Sequence, residues 1–572
     1  MSEELELDLV EPWSPSATRN LREYQVACVK AVQEGWKQFS RQLCVIEGGG
    51  GKTICFSHLT KDEVARGGRV LILAHTDELL EQAIDKLFRA TGITADKEKA
   101  DQHASLSARV VVASIQTLSR ENRLLNFPDD HFTEVHQDEA HRSLAPSFLR
   151  VLNYFHFGVE SLHEGWKPPE PGAPYKHKAR ICGWTATPSR GDARSLGEFY
   201  QNVAYQWTLL EAVHDGYLAR PIVKQIPLQL DMRGIKTSRS GGQGADLDLG
   251  EVTSRITPFL RLIAKEIAIH APKLKTVVFM PSIETARLLA QAICDEGLAG
   301  QFVSGECPDR AEKILAFRAA GPGTVICNAM LIVEGFDVPD ITAVCLLRPT
   351  KIWGFYKQAV LRGSRTLPGV IDGLTTREAR LAAIARSAKP FFTILDFLWL
   401  SDRMDLICPF DLVTTNQGVR DIMAVMSGDD LVAMEAQAEK DFLAALMKEA
   451  KKHAKKASRT IDPIALAVTV GDTALALWQP ETAWDELPPT TGQLAFLQRQ
   501  HLDVSAIKHR GFAQRLVLRL LTRFKAGLCS YEQIVFLRRM GIPEDQTVML
   551  TRAQASAAID SRKKELDARR LR

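Results

Sequence analysis

Residues 47–53 of this 572-residue chain read Glu-Gly-Gly-Gly-Gly-Lys-Thr and directly follow the apolar run Leu43-Cys44-Val45-Ile46. A strand that breaks into four glycines and then meets a lysine and a hydroxyl residue can wrap polyphosphate. Backbone N–H groups of Gly48, Gly49, Gly50 and Gly51 can point at phosphate oxygens, Lys52 adds positive charge, and the Thr53 hydroxyl can reach Mg²⁺. A nucleotide is therefore the first candidate ligand, although a glycine run alone also suits a plain flexible turn. The strict P-loop pattern wants glycine at position 46, where this chain has isoleucine.

Three further groups could act on such a ligand. His136-Gln137-Asp138-Glu139-Ala140-His141 follows an apolar strand candidate. There Asp138 could hold Mg²⁺ through water while Glu139 orients and deprotonates an attacking water. An Asp-Glu pair alone reads as an acidic loop; placed downstream of the glycine loop it points to catalysis. Thr185-Ala186-Thr187-Pro188 closes another strand candidate, where Thr185 and Thr187 could couple a nucleotide site to a neighbouring domain, or simply mark a turn before proline. Arg362 and Arg365 are spaced i, i+3 for one helical face, with Gln358 one turn earlier. Guanidiniums so placed can neutralise a transferring phosphoryl group, an effect of about 10³–10⁵ in rate, or can be plain surface arginines.

The elements that must position these groups alternate. Strands are predicted at Leu43–Glu47, Val70–Ala74, Val110–Ala113, Glu134–Asp138 and Ile181–Trp184, with helical stretches such as Asp77–Arg89 between them. That alternation predicts a parallel α/β sheet with functional residues at its carboxyl edge. Residues 158–180, with four prolines, read as an irregular insertion. A Gly-rich stretch near 238–244 reads as a linker. A second series begins at Thr276–Met280 and runs through Gly323–Cys327, Ala343–Leu347 and Phe391–Asp396. The fold expected is α/β: two tandem RecA-like domains plus a mainly helical C-terminal region. The boundaries are 1–215, a linker over 216–255, 256–413, a helical connector over 414–480 and a helical repeat over 481–572. The repeat is Gln493–Arg499 recurring as Gln533–Arg539.

Composition narrows the class. With 45% hydrophobic and 25% charged residues, the chain suits a soluble globular protein. A net charge of +3 asks any nucleic-acid partner to use local basic surfaces. Ten scattered cysteines without a C-x-x-C pair argue against structural zinc and suit a reducing cytosol. The acidic N-terminus lacks secretory-signal form. No apolar run approaches the ~20 residues that span a bilayer, so no membrane partner and a cytoplasmic setting are expected.

Together the motifs resemble superfamily two helicases of the DEAD/DEAH-box type, bacterial and phage forms with two RecA-like domains, over about residues 18–413. Gly48–Thr53 corresponds to motif I, Asp138–His141 to motif II and Thr185–Pro188 to motif III. The resemblance implies ATP as ligand with Mg²⁺ on Thr53 and Asp138. Leu21–Gln25 resembles the adenine-reading segment, which assigns Arg22 and Gln25 to the nucleotide. His75 and Ser114-Ile115-Gln116-Thr117 resemble segments that grip a nucleic-acid backbone, as does Ser282 in motif IV. Motif V, Asn328–Pro339, contributes Asp337 to the nucleotide. In motif VI, Arg362 and Arg365 reach the γ-phosphate, and Gln358 with His141 links the domains.

Ile46 and Glu47 depart from the pattern, as do Thr76 and Leu361. Glu47 places negative charge near phosphates unless it points away, and Leu361 could crowd Arg362.

The expected function is an ATP-hydrolysing translocase or helicase, with DNA preferred over RNA. Two rivals stay open: a nucleotide-gated binding protein with little turnover, and the motor subunit of a restriction or phage-defence complex. The basic bias of 508–525 leaves contact with nucleic acid, contact with a protein partner and a purely structural role all open.

Overall fold

The computed structural model describes residues 21–75, 77–140, 145–155, 180–186, 196, 199–239, 245–329, 338–400, 406–453, 461–480, 485 and 488–570. Thr76, His141, Thr187 and Asp337 lie outside them, as does most of the predicted insertion. The chain divides into two compact units, Met1–Ala219 with Met232–Phe392, and Arg220–Asp231 with Thr393–Arg572.

The first unit opens with a seven-stranded sheet of β1 (Arg41–Ile46), β2 (Val70–Ala74), β3 (Asp96–Glu98), β4 (Val110–Ser114), β5 (Glu134–Asp138), β6 (Arg180–Thr185) and β7 (Asn202–Trp207). Its order is β3-β4-β2-β5-β6-β1-β7, and every pairing is parallel. Every residue of β1, β2 and β4 is buried. Central strands of a parallel sheet are covered on both faces, which is why they read as unbroken apolar runs. The parallel order carries β1, β5 and β6 side by side, so the segments that follow each of them emerge together at one edge.

Further along come β8 (Arg220–Asp231), a hairpin of β9 (Thr237–Arg239) and β10 (Ala245–Leu247), and then β11 (Thr276–Phe279), β12 (Ala299–Val303), β13 (Thr324–Asn328), β14 (Ala343–Leu346) and β15 (Phe391–Leu400). Within the first unit β12-β13-β11-β14 form a second parallel sheet. Val277, Phe279, Ile326 and Val344 from these strands meet Phe317 and Phe355 in one buried cluster. The stretch 216–255, expected as linker, is instead structured: it holds β8, the hairpin and helix Leu249–Ile256. Ile222, Ile226 and Leu230 supply β8 with regularly spaced apolar residues, and Asp248 caps that helix by accepting from the Glu251 N–H. The hairpin is tied down by Asp246, which accepts from the Thr350 hydroxyl and the Lys351 N–H, both at 2.9 Å.

In the second unit β8 lies beside β15 and packs on the long helix Leu431–His453. The repeat forms two helical hairpins, Thr491–Arg499 on Arg510–Lys525 and Tyr531–Arg539 on Arg552–Arg570. Gln493 and Gln533 hold equivalent places, each closing a capping box with Thr490 or Ser530. Basic residues of the second helix have internal partners. Arg519 Nε lies 2.9 Å from Asp472 Oδ2, Arg523 donates to the Cys529 and Val548 carbonyls, and Arg515 lies over the Trp478 ring. Among the described residues no helix is long and apolar enough to cross a membrane.

Candidate functional site

β1 ends at Ile46, and Glu47–Gly51 turn the chain into helix Lys52–Ala65. The Gly50 N–H donates to the Glu47 carbonyl at 2.9 Å. Gly51 caps the helix at φ 73°, a left-handed conformation that costs glycine little. Gly50 is required by crowding: a Cβ there would sit 2.6 Å from Ile46 Cγ2 and 2.9 Å from Trp207 Cζ3. The departure at position 46 is thereby accommodated, because isoleucine fills the space that a side chain at position 50 would need.

Tyr24 and Gln25 support this loop from beneath. The Tyr24 hydroxyl donates to the Gly50 carbonyl at 2.8 Å, and the Tyr24 ring stacks on Trp207 with centroids 3.8 Å apart. Gln25 Nε2 donates to the same carbonyl at 3.4 Å, and Gln25 Oε1 accepts from the Arg22 N–H at 3.0 Å. Gln25, expected to read the base, here bonds the chain's own backbone through both ends of its amide. It still lines, with Arg22, Gly49, Tyr217 and Asp372, a cavity of about 780 Å³ beside the loop.

Asp138 ends β5 and Glu139 follows it. Asp138 Oδ1 accepts from the Glu139 N–H at 3.0 Å, and Glu139 has φ 49°, an unusual value for a side-chain-bearing residue. Glu139 Oε1 lies 3.7 Å from Lys52 Nζ. Burial raises the Asp138 pKa against the opposing pull of Lys52.

Gln358 stands on helix Trp353–Val360 and donates to Glu139 Oε2 at 3.5 Å. The helix does not continue to the arginines, contrary to the single-face expectation. A 3₁₀ turn, Leu361–Gly363, intervenes, where the Ser364 hydroxyl donates to the Leu361 carbonyl at 2.8 Å and Gly363 leaves no room for a side chain against Phe392. The Arg365 stem lies against Gly49, with Cγ 3.1 Å from where a Cβ would stand. Burial pushes the Arg365 guanidinium down to about 10. It remains charged at neutral pH.

One cleft of about 420 Å³ is lined by Gly48, Gly49, Gly51, Lys52, Thr53, Asp138, Glu139, Gln358, Arg362 and Arg365. Leu361 is buried at its wall and does not remove Arg362 from it. The structure therefore brings these sequence-selected groups together. The cleft also holds Glu47, which the sequence marked only as a departure near the phosphates, and residues that sequence reasoning missed: Gln82, Lys86, Lys357 and Tyr217. Leu79, Gln82 and Lys86 follow a 3, 4 spacing on helix Asp77–Thr91, a stripe visible in the sequence. Nothing in sequence spacing marks Glu47 and Lys357, 310 residues apart, as partners. Lys357 Nζ donates to Glu47 Oε1 at 2.5 Å and to the Ala186 carbonyl at 3.1 Å. The acidic departure at position 47 is thus neutralised.

The residues expected to touch nucleic acid separate. Ser114 Oγ donates to Gln116 Oε1 at 2.7 Å, and Gln116 Nε2 donates to the His75 carbonyl at 2.9 Å, joining the ends of β2 and β4. Thr117 is buried and accepts from the Ala100 N–H at 3.3 Å, so its hydroxyl serves the fold. Ser282 caps helix Ile283–Asp295 by accepting from the Thr285 N–H. Thr185 is fully buried in the register of β6 opposite Val45.

Residues 18–190 match the family model of the type III restriction enzyme, res subunit. The Saccharomyces cerevisiae protein IRC3, named as an ATP-dependent helicase, is 26% identical over 364 residues, covering 60% of this chain and 49% of that protein. Its Schizosaccharomyces pombe counterpart, named as a mitochondrial helicase, is 28% identical over 362 residues, covering 62% and 56%. This chain thus spans about half the length of these relatives. Among solved structures, an ATP-dependent type ISP restriction-modification enzyme, LlaBIII, bound to DNA, aligns with 92% of this chain and 40% of its own at 15% identity and a TM-score of 0.47.

Proposed function

We propose that the chain is a superfamily two helicase that hydrolyses ATP in the cleft between its two parallel-sheet lobes and uses the cycle to move along nucleic acid, DNA in preference to RNA. One observation carries the reading: Lys52, Asp138 and Glu139 from one lobe and Arg362 and Arg365 from the other line the same cleft. Gly48–Gly51 and Lys52 would cradle the β- and γ-phosphates at the helix start. Arg22, Gln25 and Asp337 are assigned to the nucleotide's other contacts. Glu139 would orient the attacking water and take its proton, held by Lys52 on one oxygen and Gln358 on the other. Arg362 and Arg365 would stabilise charge on the transferring phosphoryl group.

Mg²⁺ fits the donors present. The Thr53 hydroxyl and the Asp138 carboxylate are hard oxygens in one cleft, and among the described residues no group of three or more His, Cys, Asp or Glu could hold a metal alone. An ion held there by Thr53 and Asp138 would neutralise charge on the terminal phosphates.

His75, Ser114 and Gln116, at the carboxyl ends of β2 and β4, are assigned to the nucleic-acid backbone, which predicts weak sequence preference and steep salt dependence. Thr117 and Ser282 would support that surface through the backbone they hold. His141, Thr185 and Thr187 are assigned to coupling between lobes. A role as the motor subunit of a larger assembly is favoured by the family that residues 18–190 match; co-purification from the native host tests it.

The deciding experiment is an ATPase titration with single-stranded DNA, duplex DNA and RNA. DNA stimulation is expected, and Lys52→Ala or Glu139→Gln should each lower turnover by about a thousandfold. Retained activity in either variant would overturn the site assignment, and activation by RNA alone would overturn the DNA preference.

A further inference from the structure

Glu47 and Lys357 belong to none of the roles assigned above, yet both are buried in the wall of the cleft, 2% and 8% exposed. Glu47 leads into the glycine loop, and Lys357 stands one residue before Gln358. The ammonium donates to Glu47 Oε1 at 2.5 Å, to the Ala186 carbonyl at 3.1 Å, and lies 5.7 Å from the centre of the Trp353 ring. One side chain of the second lobe therefore grips two segments of the first: the chain leading into the P-loop and the segment that follows β6. Its neighbours in sequence are the groups that need placing, Gln358 against Glu139 and, beyond the 3₁₀ turn, Arg365 against Gly49.

A surface ion pair would have little purchase on this geometry, because solvent screens it and its side chains stay mobile. A buried pair differs. Its attraction roughly offsets the cost of removing both charges from water, so the pair adds little net stability to a closed cleft. Misalignment is heavily penalised, because a displaced partner leaves a charge buried and alone. Such a pair fixes registry without locking the lobes. When the cleft opens, both groups return to water and the penalty disappears.

We propose that Glu47 and Lys357 form a positioning latch between the lobes, which sets helix Trp353–Val360 against the P-loop and so aligns Gln358, Arg362 and Arg365 with the γ-phosphate. The inference rests on the ATPase reading given above. Neither residue touches the reacting atoms, so their contribution falls on turnover more than on nucleotide affinity.

A double-mutant cycle on the full chain tests it, with Glu47→Gln, Lys357→Met and the combined variant. The measurements are kcat and KM for ATP with DNA present, and the Kd of a non-hydrolysable ATP analogue. Each single variant should lose about tenfold to a hundredfold in kcat while KM and Kd move by less than about threefold, and the combined variant should recover much of the loss, as coupled contacts do. Losses that multiply in the combined variant, or that fall wholly on KM, overturn the latch. Lys52→Ala separates the two readings: if wild type hydrolyses ATP, Lys52→Ala does not, and the cycle shows no coupling, the latch alone fails. If wild type shows no turnover, the ATPase reading fails. The latch is then judged by hydrogen exchange across helix Trp353–Val360, where the analogue should protect wild type and not the single variants. Equal protection in all of them overturns it. Should a single variant misfold, the charge-reversed pair Glu47→Lys with Lys357→Glu replaces it, with partial recovery expected and no recovery counting against the latch.

Discussion

The Gly50 carbonyl offers a test of how the P-loop is held. It belongs to a buried residue and accepts two side-chain donors, the Tyr24 hydroxyl at 2.8 Å and Gln25 Nε2 at 3.4 Å. Burial raises the Tyr24 pKa, so the hydroxyl is a neutral donor at any working pH. Tyr24→Phe keeps the ring stacked on Trp207 and deletes that donor together with the oxygen that interacts with Arg22, at a net cost of about 1 kcal/mol. Gln25→Met deletes the longer bond and the acceptor of the Arg22 N–H, again about 1 kcal/mol. In either single variant the carbonyl keeps one donor. Only the double variant leaves it buried without a donor, which adds about 1–3 kcal/mol beyond the sum. The assay is native-state hydrogen exchange over 47–53, because the Gly50 N–H is itself bonded to Glu47 and reports local opening. Exchange in the double variant should exceed the product of the single effects by about 5- to 150-fold. Purely multiplicative effects, or no effect of Tyr24→Phe, would show that the loop is held by something else.

Two further outcomes follow from charged groups the sequence did not single out. Burial pushes Lys389 down to about 7, and its Nζ donates to the Pro339 carbonyl at 2.6 Å. Between about pH 7 and the unfolded value near 10.4 the unfolded chain binds the extra proton, so stability rises with pH there, by up to about 1.4 kcal/mol per unit. Thermal melts from pH 7 to 9.5 should show this rise in wild type and lose it in Lys389→Met; parallel profiles would refute it. Lys86 lines the cleft, and its charge interacts with Asp138 and Arg365. Lys86→Ala should weaken ATP binding by about 1 kcal/mol, roughly fivefold, in a low-salt titration, and unchanged affinity would remove Lys86 from the site.

What the sequence made legible follows from how each element is stabilised. β2 was readable to the residue because a buried parallel strand is apolar and short, whereas β5 matched in its bounds although only Val135 in it is apolar; the ends of β1 and β5 then placed Lys52, Asp138 and Glu139 at one edge. β3 was not readable: Asp96-Lys97-Glu98 has no strand pattern, and its Glu98 is buried because Arg123 reaches it from elsewhere in the chain. β7 was missed for a related reason. It is an edge strand with mostly half-exposed residues, so its apolar content is diluted. The break between Gln358 and Arg365 also escaped the periodicity, since it depends on Phe392 crowding Gly363 from a distant strand.

Charge was the least transferable signal, and the arginines of helix Arg510–Lys525 show why. Spaced four apart, Arg515, Arg519 and Arg523 read as a basic stripe that left nucleic acid, a protein partner and a structural role equally open. The structure turns that stripe onto Trp478, Asp472 and the Cys529 and Val548 carbonyls. A guanidinium has five donors and a long apolar stem, so it can close a helical hairpin as readily as it can bind phosphate, and spacing alone does not separate the two uses. The same ambiguity runs the other way at Glu47. Read in isolation it repels a nucleotide; paired with Lys357 it is neutralised and ties two lobes together. Sequence gives the sign of a charge, and only the fold gives its partner. For this chain the partner decides whether the charged residue belongs to the scaffold or to the site.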